Sequence, residues 1–256
     1  MNDLQKASMW KRMSAWLFDL ILFATVVTLV AIPISVIFKY NEKVEVVEKV
    51  EAEYREEMIK DGLNPDITEQ ELNSLSKEER EKYTAVDQRR AKDDRLGIGY
   101  AMITNIIITM IFVSIFVAYL VLEFFVPLFL KNGQTLGKKI FGIGVVHTNL
   151  VKFGSKPLFI RSMIGKCAIE TMVPVFLVMM ILFGSLGLIG AVVLLLLLVL
   201  QIYAVASTRT NSAIHDLVAD AAVVDLSSQM IFESHEQLME YKNRVHKEAA
   251  DKAEYR

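Results

Sequence analysis

The sequence predicts an all-α membrane protein: a bundle of about four transmembrane helices, with a helical extracytoplasmic loop and a helical cytoplasmic tail. Three observations carry this. The apolar residues, 53% of the chain, are blocked into long runs, and mean hydropathy is +0.37, high for a soluble globular protein. Those runs are long enough to cross a hydrocarbon core about 30 Å thick, which takes roughly 20 apolar residues of helix. The cations between them are distributed unevenly, which fixes an orientation.

The first run, in residues 1–38, extends from Met13 to Phe38 and contains one charge, Asp19. It is too long for the apolar core of a signal peptide, so it reads as a retained span. Residues 39–96 form a charged loop with 12 Lys/Arg and 17 Asp/Glu. Val47, Val50, Tyr54 and Met58 recur there at helical spacing, and Gly62-Leu63-Asn64-Pro65 breaks the pattern. Thr68 to Glu71 and Ser76 to Glu79 each match a capping box, predicting a helical return over about 68–92. The second run, residues 97–130, carries only Glu123. The third, 167–207, carries only Glu170 and is about twice the length of a single span. Gly184-Ser185-Leu186-Gly187 near its middle predicts a transmembrane hairpin; one span plus an interfacial helix is the alternative. The segment 208–256 closes the chain with Ile214-His215-Asp216 and a mixed-charge helical tail.

Residues 131–166 contain seven Lys/Arg and no Asp or Glu. Short basic loops stay in the cytoplasm, so an even number of spans places both termini inside and the loop 39–96 outside. The expected address is the cell membrane, multi-pass. The net charge of −2 gives no reason to expect nucleic acid. The single cysteine, Cys167, permits no intramolecular disulfide and reads as a small buried hydrophobe.

Soluble-enzyme motifs fail. Gly133-Gln134-Thr135-Leu136-Gly137-Lys138-Lys139 resembles a phosphate-binding loop, but its glycines are one residue too close and no Ser/Thr follows the lysine. His235-Glu236 with Glu240 reads as a solvated helix face. No metal, cofactor or catalytic residue is expected, and the chain is not expected to be an enzyme.

Charges at membrane depth are costly, so each is a candidate functional group. Asp19, Glu123, Glu170 and Asp216 all fall toward the cytoplasmic side, near Arg12, Lys131, Lys166 and Arg161. With His215 they form a candidate ion site or ion-pair network. Arg12 and Asp19 share a helix face two turns apart, too far for direct pairing, so Asp19 is expected to pair with a group on a neighbouring helix. One reading is structural, with the pairs fixing helix packing. The other is a proton or cation site with Asp19 and Glu123 as ligands.

Three segments resemble the RDD membrane-protein family. They are Arg12-Met13-Ser14-Ala15-Trp16-Leu17-Phe18-Asp19, the loop beginning Asn132-Gly133-Gln134-Thr135-Leu136-Gly137-Lys138, and Ile214-His215-Asp216-Leu217-Val218-Ala219. The resemblance implies a family triad of Arg12, Asp19 and Asp216, and it favours a bacterial inner membrane as the address. It implies little mechanism, since some members look like cation/proton antiporters and others like non-transporting partners of membrane machinery. The chain departs from the pattern at Gly144, at Asp220-Ala221 and in its long outer loop.

Val145-Val146 and Val223-Val224 follow the second and third motifs, and a small sheet pairing them under the bundle is expected. Two function classes remain: an adaptor or accessory subunit holding a protein partner through 39–96 or the tail, and a small-cation/proton transporter. Four spans are few for an inverted-repeat transporter, so transport would call for a homo-oligomer.

Overall fold

The computed structural model describes residues 4–130 and 133–254. Among these, four helices are long and apolar enough to cross a membrane: Met9–Ile37, Asp94–Leu130, Ser155–Leu182 and Gly187–Ser207. Their large apolar side chains are mostly exposed on the protein surface, as lipid-facing positions are. In chain order the elements are α1 (Met9–Ile37), α2 (Tyr40–Lys60), α3 (Glu69–Ser74), α4 (Lys77–Ala91), α5 (Asp94–Leu130), α6 (Leu136–Ile140), β1 (Ile143–His147), α7 (Ser155–Leu182), α8 (Gly187–Ser207), α9 (Ile214–Val218), β2 (Ala221–Asp225) and α10 (His235–Glu254). They group into two compact units: Thr28–Ser114, and Met1–Val27 with Ile115–Arg256.

In the unit Thr28–Ser114, α2 packs on α4, and Val47, Val50 and Leu96 make a small core with Tyr54 and Ile103. Gly62, at φ 72°, follows the end of α2. The return is two helices, not one. Both capping boxes form: the Thr68 hydroxyl accepts from the Glu71 N–H, the Ser76 hydroxyl accepts from the Glu79 N–H, and each glutamate reaches back to its cap. The second cap sits inside the run expected to be continuous, and an extended Ser76 that starts a new helix must end the previous one.

In the other unit, β1 and β2 pair antiparallel with Val145 opposite Val223 and Gly144 opposite Val224. The two Val-Val segments do therefore meet in a sheet. The chain entering α1 lies along the other edge of β2: Ala7 N–H donates to the Val223 carbonyl at 3.2 Å, and the Asp225 N–H donates to the Gln5 carbonyl at 3.1 Å. Lys11 then pairs with Asp225 at 2.6 Å. Ile143, Val145, Ala221 and Val223 are buried in a core with Ala15 of α1 and Leu158 of α7. This core joins the sheet to the ends of two spans.

Three features differ from the sequence reading. First, the helix expected from about Cys167 begins at Ser155, so Arg161 and Lys166 lie on α7 rather than in a loop. Of the polar residues that disguised this stretch, Arg161 and Ser162 are buried. Second, α5 and α7 contain π-helical stretches at Leu120–Phe125 and Ile160–Met172. Third, the mixed-charge tail has a packed apolar side. Leu238 of α10 is buried with Leu150 and Phe232, against Leu4, Val151 and Tyr241. The expected hairpin turn is present, with Gly184 and Gly187 both at positive φ between α7 and α8.

Replacing a Ser N-cap by Ala costs about 1 kcal/mol. Ser76→Ala is therefore expected to speed amide hydrogen exchange at the start of α4, over about residues 77–81, while leaving exchange in α2 unchanged.

Candidate functional site

The ionisable groups flagged by the sequence gather around the sheet-facing ends of α1, α5 and α7 and the short helix α9. Asp216 of α9 is the centre. Its Oδ1 accepts from Arg161 Nε at 2.7 Å, and both side chains are 2% exposed. Arg12 of α1 brings its guanidinium to within 3.8 Å of Asp216 Oδ2. His215 Nε2 lies 3.4 Å from Asp216 Oδ1. Burial would raise the Asp216 carboxyl, but Arg161, His215 and Lys138 outweigh it and hold it well below the usual carboxylate range.

Local chemistry holds α9 in place. Gln201 of α8 accepts from the Ile214 N–H at 3.3 Å, and the Thr208 hydroxyl accepts from the Ser212 N–H at 2.8 Å. Glu170 of α7 takes two bonds from His215, from the backbone N–H at 2.8 Å and with the ring Nδ1 at 2.7 Å. Gly165 makes room for this. A Cβ there would meet the His215 Cα at 2.7 Å, so any larger residue would push α9 off α7.

Asp19 pairs with groups at the start of a neighbouring helix, and with no cation among the described residues. Its Oδ2 accepts from the Thr135 hydroxyl and its Oδ1 from the Gly137 N–H at 2.8 Å. It therefore satisfies the open N-terminal donors of α6, where an anion is favoured. The loop motif and the aspartate of the triad are thus one device. Gly137 is needed for that contact, since a Cβ would lie 2.4 Å from the Ala15 carbonyl oxygen. Gln134, also buried, donates to the Ile143 carbonyl at 2.9 Å and ties the loop to β1. Asn132 lies outside the described residues, and Gly133, at φ 58°, begins the turn into Gln134.

Glu123 of α5 pairs with Lys166 of α7 through Oε1, while its buried Oε2 has no hydrogen-bond partner among the described residues. The π-helical stretches of α5 and α7 carry Glu123, Arg161, Lys166 and Glu170. Such wide turns recur where side chains must be aimed off the regular helical face. Tyr119 and Thr171 bond at 2.6 Å one turn away and join the same two helices.

The sequence missed Lys138 as a distinctive charge. Its ammonium makes no hydrogen bond or close ion pair among the described residues. Burial, with Arg161 and Lys166 nearby and only partly offset by Glu123 and Asp216, pushes its pKa down to about 7. Its run of glycines and lysines resembled a solvated basic loop, and nothing local signalled the burial. Lys138, Arg12, Asp19, Arg161, Lys166, His215 and Asp216 share the walls of a cavity of about 210 Å³.

Three groups placed in the family's order thus converge in space. The RDD family model matches residues 6–220, which is most of the chain. The chain belongs to the RDD family. In this RDD protein Arg12 faces Asp216, while Asp19 holds α6. No curated protein and no solved structure matches the chain.

Removing one partner of a buried ion pair leaves the other charge uncompensated, at a cost of about 3 kcal/mol or more. Asp216→Asn is expected to lower the melting temperature of the detergent-solubilised protein strongly, and Asp225→Asn, at the more exposed Lys11 pair, only slightly. A pH signature should come from Lys138. Its folded pKa lies below its unfolded value, so the folded state binds fewer protons between about pH 7 and 10 and gains stability as pH rises. Lys138→Met should therefore exceed the wild type in stability most at pH 7, with the difference narrowing by pH 10 in a melting series.

Proposed function

We propose that this RDD protein is an accessory subunit of a membrane assembly, without catalytic or transport activity of its own. One observation supports this most directly. Each of the four carboxylates near the ends of the spans is already engaged by a protein group: Asp19 by Thr135 and Gly137, Glu123 by Lys166, Glu170 by His215, and Asp216 by Arg161. A cation pathway needs carboxylates that can exchange a protein ligand for an ion, and two of these groups face arginines or lysines that would repel one. The arrangement reads as a clamp that fixes helix ends around the small sheet.

In this reading both termini and the sheet lie on the cytoplasmic side of the membrane, from the seven cations of residues 131–166 and the absence of any carboxylate there. The acidic segment 39–96 lies outside and offers a charged surface to an extracytoplasmic protein partner. Transport of a small cation in exchange for protons is the second reading. It draws on the unpartnered Oε2 of Glu123, the one carboxylate oxygen among the described residues that is buried without a hydrogen bond.

Sealed vesicles reconstituted with pure protein separate the two. The accessory reading expects no cation-driven proton flux above protein-free vesicles, with sodium, potassium or lithium and with either gradient direction. Flux in the wild type that disappears in a folded Asp19→Asn variant would establish transport and sink the accessory reading.

A further inference from the structure

The ion-pair network leaves a surplus of donors. Arg161 gives only its Nε–H to Asp216, and its two terminal amino groups make no hydrogen bond among the described residues. The Arg12 guanidinium stands 3.8 Å from Asp216, beyond hydrogen-bond distance, and no side-chain hydrogen bond of Arg12 or Lys138 is formed among the described residues. All three residues line the same cavity of about 210 Å³. Arg161 is buried and Arg12 is partly so, and donors gathered without protein acceptors on one cavity wall are what an anion satisfies. Lys166 is neutralised by Glu123, which leaves Arg12, Lys138 and Arg161 against Asp19 and Asp216. With Lys138 protonated, the cavity therefore has room for one further negative charge.

We infer that this cavity binds a phosphate group, with Arg12 and Arg161 as forked donors and Lys138 as the point charge that completes the site. Arginine forks match the paired oxygens of phosphate, and a lysine ammonium suits the remaining oxygen. A phosphodiester carries the single charge the cavity calls for. The remaining walls indicate where it comes from. Met9, Met13 and Trp16 from the first two turns of α1, and Val205 near the end of α8, give the cavity an apolar side. Trp10 and Trp16 are 79% and 58% exposed at the same end of the span, the position where tryptophans mark the headgroup level of a bilayer. The phosphate can be a lipid headgroup or a free phosphate ion, and each reaches these donors in the same way. The inference does not depend on the accessory reading, because a non-transporting subunit and a transporter could both hold such a ligand.

The test uses purified full-length protein in detergent, stripped of lipid, with melting temperature and native mass spectrometry as readouts. The probes are short-chain phosphatidylglycerol, inorganic phosphate, and diacylglycerol of the same chain length. One equivalent of phosphatidylglycerol retained on the wild type, with a rise in melting temperature and no response to diacylglycerol, supports a lipid phosphate. A response to inorganic phosphate of the same size supports a free phosphate. In either case Lys138→Gln should weaken binding roughly tenfold or more, as expected for one charge-assisted contact. Should Lys138→Gln fail to fold, Arg12→Lys, which keeps the charge but loses the fork, is expected to weaken it similarly. An equal response to diacylglycerol, no response to either phosphate probe, or unchanged binding in the folded variants would overturn the inference.

Discussion

The buried pair between Arg161 and Asp216 is the constraint around which this protein's sheet end is arranged. An ion pair taken out of water gains little net energy, since desolvation cancels most of the attraction. It does, however, demand geometry, because misplacing either partner exposes an unpaired charge in a low-dielectric setting. Arg161 sits on a π-helical stretch of α7, and Asp216 on a five-residue helix too short to be stable alone. The pair therefore decides where α9 lies. Gly165, Glu170 and Gln201 then follow as supports that let α9 approach and keep it there.

From α9 the chain turns directly into β2, so the position of the sheet is set by the same pair. β2 lies between β1 and the chain entering α1, and the apolar side of this layer packs on Ala15 and Leu158. Asp19 adds a second tie by capping α6, which leads into β1. The polar groups of the site thus belong to the packing of the unit and are not an addition to it. A cavity with unmet donors remains where these ties meet, and its composition suits a phosphate.

Much of this was legible in the sequence, for physical reasons. Apolar runs of membrane length stand out, since no soluble core needs them, and the pause at Gly184–Gly187 marks a turn. That Asp19, Glu123, Glu170 and Asp216 fall at one end of the spans could be counted from neighbouring cations. The pairings could not. Regular helical spacing sets which residues share a face, and the wide turns at Leu120–Phe125 and Ile160–Met172 shift that phase for every residue beyond them. Glu123, Arg161 and Lys166 lie within those stretches. Asp19 was sought among cations because a charge suggests an opposite charge; its partners are a hydroxyl and a backbone N–H, which leave no mark in charge patterning. The start of α7 at Ser155 was hidden because the cations of 156–166 read as loop.

The strand arrangement also sets an order of assembly. The segment Gln5–Ala7 is made before the four apolar helices, yet its hydrogen-bonding partner is β2, Ala221–Asp225, which leaves the ribosome only after all four have been synthesised. Until then the strand edge entering α1 has no mate, and β1 waits with it. Completion of the sheet is therefore a late event, and a chain truncated before residue 216 would lack both β2 and the Asp216 partner of Arg161.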